Sequence, residues 1–392
     1  MIDIRNIAVK YNPEIALLVL MLRVKLGKAD EKVLSDCLVE FSIDYDRLLL
    51  LMKEHDLENI LHESIVIEKL AERNAALKPA IVRRARFNLF IFTELISLIR
   101  LFRNNSIQFL NYKGILLSKI LFNDFTTRNT SDIDILINAA DYFRIRQLLL
   151  KAGYEEVYYF PAHYPEYYLL KNREATFRRK GMEGQYVYIE IQWAPLPEMY
   201  GLPYDNVYFF KHAEIVRLSG EDLPAVRLEQ HLILLLIHHG ISDLWRNLKH
   251  VFDIAVFIEK TGKSLDWQEI FSKVVQWHFQ KNAGVGLALA EDLFGVKIPV
   301  HLQVLSQKKT SEIALNTVLS IPLLTKKKKN YFNVSRQLLF ADNFYEKFKL
   351  LKGYLKIALW PSLTDLENIK FPPVLFPFYF ITKRFRFLFR KK

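Results

Sequence analysis

An α+β fold, with a mixed sheet held between helical segments at both ends of the chain, is predicted by three observations. Apolar residues recur at three- and four-residue spacing before residue 105 and after residue 228. Strand-like alternation is confined to the stretch between them. No internal repeat of about 20 to 50 residues, the mark of a solenoid, is visible. At 392 residues, 51% of them hydrophobic, the chain is long enough to bury more than one core. The expected division is an N-terminal helical domain over 1–78, a mixed α/β core over 79–215, a second helical domain over 216–325 and a basic, aromatic segment over 326–392.

Each element has a local reason. Leu34, Cys37, Leu38 and Phe41, then Leu48, Leu51, Met52 and His55, fall on single helical faces. A long helix is predicted from about Pro79 to Asn104, where Asn104-Asn105-Ser106 supplies a turn. Ile107 to Tyr112 reads as a strand, Ile115 to Phe122 as a helix, Ser131 to Ile137 as a strand, and Asp141 to Ala152 as a helix closed by Gly153. Val157 to Phe160, Glu174 to Arg179 and Tyr186 to Gln192 read as further strands. From Leu228 the helical period returns, with Leu232, Leu235 and Leu236, then Val251, Ile254, Ala255 and Ile258, as buried stripes.

Composition narrows the function classes. One cysteine, Cys37, excludes an internal disulfide and a cysteine-based zinc cluster, and fits a reducing compartment. Met1 to Arg5 lack the basic start and apolar run of a secretory signal, and the uncharged apolar stretches fall short of the ~18 residues of a membrane span, so a cytoplasmic location is expected. The net charge of +12 favours polyanionic partners: nucleotides, RNA or an anionic lipid surface. Lys326 to Lys329 read as a solvated linker. Residues 371–392 carry six Lys/Arg and no acid. Their interleaved aromatics allow two readings: peripheral contact with the inner membrane surface, or packing against the core with the cations exposed.

The chemistry concentrates in Ser131-Asp132-Ile133-Asp134-Ile135-Leu136-Ile137. Side chains at i and i+2 of a strand share a face about 6.6 Å apart, so Asp132 and Asp134 point together while the isoleucines fill the opposite face. Two like charges so close to a core call for a cation, and Mg2+ on one or two carboxylates usually serves a phosphate substrate. Gly114, between a strand and a helix, lets a phosphate approach backbone N–H groups at a helix N-terminus. Lys113 and Arg128 add positive charge, and Glu190 offers a third acid if its strand lies beside the first. Three acids on two Mg2+ ions suit in-line nucleotidyl transfer, with Glu190 as a metal-bridging acid or general base. His231, His238 and His239, on one predicted helix, are read as structural or supporting residues.

Lys113-Gly114, Arg128, Ser131-Asp132-Ile133-Asp134 and the distal Glu190 resemble the signature of nucleotidyltransferases of the DNA polymerase β superfamily. More closely, the order of motifs resembles a bacterial family of uncharacterised nucleotidyltransferases. The likeness runs through Gly153-Tyr154, Ile189 to Trp193, His239-Gly240, Trp245, Leu248, Asp253 and Leu265-Asp266-Trp267 to the stretch from Pro361 to Asp365. The resemblance implies a polymerase β-like mixed-sheet core flanked by helical domains, with Asp132, Asp134 and Glu190 as catalytic metal ligands. It places Lys113, Gly114, Arg128 and Ser131 at the nucleotide, with ATP the expected nucleoside triphosphate and two Mg2+ ions as cofactors. The acceptor is left open among a small molecule, a saccharide, a peptide and RNA. His239 and Asp253 are expected to shape the cleft between domains. Two departures from the family pattern stand out: Gly114-Ile115 replaces Gly-Gly or Gly-Ser, and Glu190 with Gln192 replaces an Asp and a His. These departures motivate the alternative of a catalytically inert scaffold with the same fold.

Overall fold

Helix Pro13–Lys25 is apolar on every side, so it is stable only when other helices wrap it. Residues Glu14 through Arg23 are all buried in the computed structural model, which describes residues 1–181, 184–305, 307–320 and 334–384. The basic run at 326–329 and residues 385–392 of the terminal segment lie outside that description. Four helices surround the central one: Ile4–Lys10, Glu31–Glu40, Tyr45–Glu54 and, from far along the chain, Gln280–Phe294. Arg23 fixes the distant contact, donating from Nε to the Leu293 carbonyl at 2.6 Å and from Nη2 to the Ile2 carbonyl at 2.8 Å. The Ile2 N–H donates to the Asp292 carbonyl at 2.7 Å. Helices from 1–78 and from 216–325 therefore share one hydrophobic cluster and form one helical body.

The second layer is a five-stranded sheet of order β1-β2-β5-β4-β3. Its strands are β1 (Phe109–Leu110), β2 (Asp132–Ile137), β3 (Glu155–Glu156), β4 (Glu174–Lys180) and β5 (Tyr186–Gln192). β2 and β5 run parallel and the other pairs antiparallel, so the sheet is mixed, as predicted. Ile133, Ile135 and Ile137 of β2 with Val187, Ile189 and Ile191 of β5 pack into a second cluster against the long helix Leu77–Asn104. Leu136, on the opposite face, joins the cluster of the helical body. The acids alternate with the isoleucines and so stand on the face turned toward that body.

Two expectations are corrected. Val157 to Phe160 is not a strand: pairing with β4 ends after Glu156 and one further Val157 N–H···O=C Thr176 bond, and Phe160 then turns into a ring cluster with Tyr142 and Tyr168. A core ending at residue 215 would cut through a β-hairpin, β6 (Glu214–Leu218) and β7 (Glu221–Ala225), closed at Ser219-Gly220. The hairpin extends the α/β unit, because the Asn111 N–H donates to the Pro224 carbonyl at 3.0 Å. At the C-terminal end, Phe376 and Tyr379 are buried against Tyr164 and Tyr167, while Phe378 and Ile381 stay exposed. No helix among the described residues is long and apolar enough to cross a membrane.

Candidate active site

β2 and β5 pair in a register that sets Asp134 directly opposite Glu190 and Asp132 opposite Tyr188. Glu174 of β4 lies across from Gln192, on the same face. Four carboxylates, Asp132, Asp134, Glu174 and Glu190, thus share one sheet face. Burial and then the charge of Asp134 raise the Asp132 carboxyl to about 6. Burial and then Asp134, Glu174 and Asp132 raise Glu190 to about 8.

Two groups donate into this negative patch. The Gln192 amide Nε2 donates to Asp134 Oδ1 at 2.7 Å, to Glu190 Oε2 at 3.0 Å and to Glu174 Oε2 at 3.3 Å. Its carbonyl oxygen accepts from the Tyr112 hydroxyl at 2.6 Å, which orients the amide. The Lys113 Nζ stands 3.6 Å from Asp134 Oδ1. Burial opposes the Lys113 charge, yet Asp134 overcomes it and holds the ammonium above its ordinary pKa. An all-oxygen donor set with ammonium and amide hydrogens directed into it has the chemistry of a hard-cation site. The oxygens are spread rather than gathered: among the described residues, only His238, His239 and Asp243 place three ligand atoms within 4.8 Å of one another.

These shifts set a pH dependence. The unfolded chain releases the two protons near the ordinary carboxylate range, whereas the folded cation-free protein keeps them to about 6 and 8. Over that window the native state binds more protons than the unfolded state, so stability falls as pH rises from about 4 to 8. Mg2+ is expected to flatten this decline and to release protons on binding. Urea melts at pH 6 and pH 8 with and without Mg2+ check both effects; stability rising over that interval without metal would contradict the assignment.

Gly114 opens helix Gly114–Phe122 with φ +56°, and a Cβ there would meet Thr130 Cγ2 at 3.2 Å and the Asp132 carbonyl at 3.4 Å. Only glycine accepts both the left-handed backbone and the contact with the start of β2. Gly114→Ala is expected to lower stability by about 1–3 kcal/mol, readable in a denaturant melt. The loop leading to β2 is held from the long helix. Asn88 Nδ2 donates to the carbonyls of Phe125, Thr126 and Arg128, and its Oδ1 accepts from the Thr130 N–H. Ser131 is exposed immediately before the strand.

Arg128 corrects the expectation of a free phosphate-binding cation. Its Nε donates to Asp253 Oδ1 at 3.0 Å and Oδ2 at 3.1 Å, and its Nη2 to Oδ2 at 2.9 Å, with both residues buried. Asp253 belongs to helix Leu248–Thr261, so this pair joins the α/β unit to the helical body beside the acids. Lys249, one turn earlier on the helix, donates to Asp56 and to the Asn129 carbonyl. His231 Nε2 meets the Tyr112 carbonyl, a structural contact.

The family of uncharacterised nucleotidyltransferases matches residues 42–295, which include the sheet, the acids and the Arg128–Asp253 pair. The chain belongs to this nucleotidyltransferase family. No curated protein matches the chain. Among solved structures it is similar to the lincosamide antibiotic adenylyltransferase LnuA, determined with lincomycin bound. That likeness is 18% identity over 42% of this chain and 94% of the other, with a TM-score of 0.29. It is also similar to an antigenic nucleotidyltransferase-like protein from Paracoccidioides brasiliensis, at 16% identity over 53% of this chain and 94% of that one, with a TM-score of 0.33. In this nucleotidyltransferase the fold sets the predicted Asp132, Asp134 and Glu190 on one sheet face, with Lys113 3.6 Å from Asp134 and Gly114 against the start of β2. Sequence reasoning did not single out Glu174, Asp243 or His250, which lie beside predicted residues. Glu174 opens a strand whose neighbour only the sheet order reveals, and Asp243 lies four residues after His239, a spacing that was available.

Proposed function

We propose that the protein transfers a nucleoside monophosphate from a nucleoside triphosphate, ATP in the first instance, to a hydroxyl-bearing acceptor. The observation that carries this reading is the single sheet face bearing Asp132, Asp134 and Glu190 beside Gly114 and Lys113, in a chain of this family. Asp132 and Asp134 would hold Mg2+, which when bound neutralises phosphate charge as pyrophosphate leaves. Lys113, on the flank of the carboxylates, would turn its ammonium toward a phosphate once a cation takes its place. The N–H groups at the Gly114 end of its helix offer donors to a phosphate oxygen. Glu190 holds its proton up to about 8 before a cation arrives and suits proton exchange with the acceptor hydroxyl. The acceptor oxygen forms its bond to the α-phosphorus as the bond to pyrophosphate breaks.

The test is transfer of label from an α-labelled nucleoside triphosphate in the presence of Mg2+, with small hydroxylated molecules, saccharides, peptides and RNA as acceptors. Mg2+-dependent product is expected; no transfer to any of these classes, or transfer indifferent to chelator, would overturn the reading. One observation favours a second reading, an inert member that keeps the fold: Gln192 already donates to Asp134 and Glu190. Calorimetry separates the two, because an inert member binds no ATP in a Mg2+-dependent way.

A further inference from the structure

Two consecutive residues on a regular helix point about 100° apart, yet His238 and His239 both face the carboxylate of Asp243. A π-helical turn over His238–Ser242 makes this possible, with the Asp243 N–H donating to the His238 carbonyl at 3.2 Å. The turn is followed by Leu244 and Trp245, both fully buried and both left-handed, at φ 55° and 52°. Such strain in large side chains persists only where the surroundings enforce it. Here Trp245 is seated against Gly240 and Gly286, where a Cβ would fall 3.1 Å and 2.1 Å from its ring, and its Nε1 donates to the Asn282 carbonyl at 3.0 Å.

The enforced turn gathers three imidazole nitrogens around one carboxylate in close but poorly aligned contacts. Asp243 Oδ2 lies 3.1 Å from His238 Nδ1, 3.6 Å from His239 Nδ1 and 3.4 Å from His250 Nδ1. These atoms are buried, and among the described residues none of the four makes a well-aligned hydrogen bond. The His239 side chain is only 4% exposed, and neither of its ring nitrogens has a hydrogen-bond partner. Ligand atoms around a tetrahedral ion with bonds near 2.0–2.1 Å stand about 3.3–3.4 Å apart, and the 3.1 and 3.6 Å from Asp243 Oδ2 to the His238 and His239 nitrogens bracket that spacing.

We propose that His238, His239 and Asp243 form a binding site for a divalent transition metal of the zinc class, separate from the carboxylates on the sheet. The three ligand atoms lie within 4.8 Å of one another. Imidazole nitrogens select zinc, cobalt or nickel over magnesium. His250 is not a fourth ligand: its ring lies flat on His239, with centroids 4.1 Å apart and planes at 12°, so the two in-plane lone pairs cannot meet at one ion. It backs the His239 ring instead. On the far side of that ring, Nε2 lies 3.7 Å from Asp253 Oδ2, beyond hydrogen-bond reach but close enough for the carboxylate to favour a ring N–H on that side. Three protein ligands leave a fourth position for water or an anionic oxygen. His238, a quarter exposed, leaves that position open toward solvent, within the electrostatic field of Lys113 and Asp134.

The full-length protein, stripped with a chelator and held in excess Mg2+, is titrated with Co2+. One equivalent should bind with visible ligand-field absorption, and Zn2+ should displace it. Asp243→Asn and His238→Gln should each weaken Co2+ binding by more than about 100-fold, beyond the ~10–100-fold that loss of an outer partner costs. Asp134→Asn, which removes only a nearby charge, should weaken Co2+ binding by less than about tenfold. Absence of the absorption, wild-type affinity in Asp243→Asn, or loss of binding in Asp134→Asn overturns the site. Should Asp243→Asn fail to fold, His238→Gln alters a partly exposed side chain and carries the same outcomes. This inference is independent of the transfer reaction, since a positive Co2+ titration does not require nucleotide.

Discussion

Asp134→Asn is expected to reduce nucleotidyl transfer by about a thousandfold or more while the protein stays folded. Asp134 is the acid at the centre of the patch, opposite Glu190 in the register, bonded by Gln192 and 3.6 Å from Lys113. Asparagine keeps the volume and one acceptor oxygen, so the Gln192 bond and the β2–β5 ladder survive. The charge does not survive, and under the proposed transfer reaction about 4 kcal/mol of charge stabilisation on the transferring phosphoryl group would go with it, which corresponds to about three orders of magnitude in rate. Single-turnover transfer of labelled nucleotide, read beside the circular dichroism of the variant, checks both halves. A folded variant with activity within tenfold of the parent would remove Asp134 from the site.

Asp253→Ala is expected to destabilise the protein by about 3–5 kcal/mol, because it leaves the Arg128 guanidinium buried without its counter-charge. Asp253 is fully buried and accepts three N–H···O contacts from Arg128, so water cannot reach in to replace it. The converse prediction is as specific. Arg128→Met combined with Asp253→Leu should recover most of the loss, since an apolar pair of similar volume removes the unpaired charge that the single change creates. Urea denaturation of the two variants decides the matter. If the double change is as unstable as the single one, the pair has a role beyond mutual neutralisation.

Much of the fold was legible because its period is local. The alternation in Asp132–Ile137 and Tyr186–Gln192 matches two observed strands, and the apolar spacing after Leu228 matches the helices there. What escaped depended on pairing across the chain. β6 and β7 are short, and Pro224 interrupts the alternation, so the hairpin is evident only once Asn111 is seen bonded to its edge. Arg128 carried a plausible charge, but its partner lies 125 residues away on another helix. The histidines were visible as a cluster, whereas a regular helix would have directed them apart. Only the π turn brings them to Asp243.

The buried Arg23 anchor has a consequence for how the chain comes to be folded. Helix Pro13–Lys25 is synthesised about 270 residues before its last wall, the helix ending at Phe294. At roughly 5–20 residues per second, the ribosome leaves that apolar helix incompletely covered for about 10 to 50 seconds. Closing so large a loop also raises contact order, which slows folding. The N-terminal helices are therefore a segment that waits, exposed to aggregation or in need of a chaperone, until the C-terminal half arrives to close the core around it.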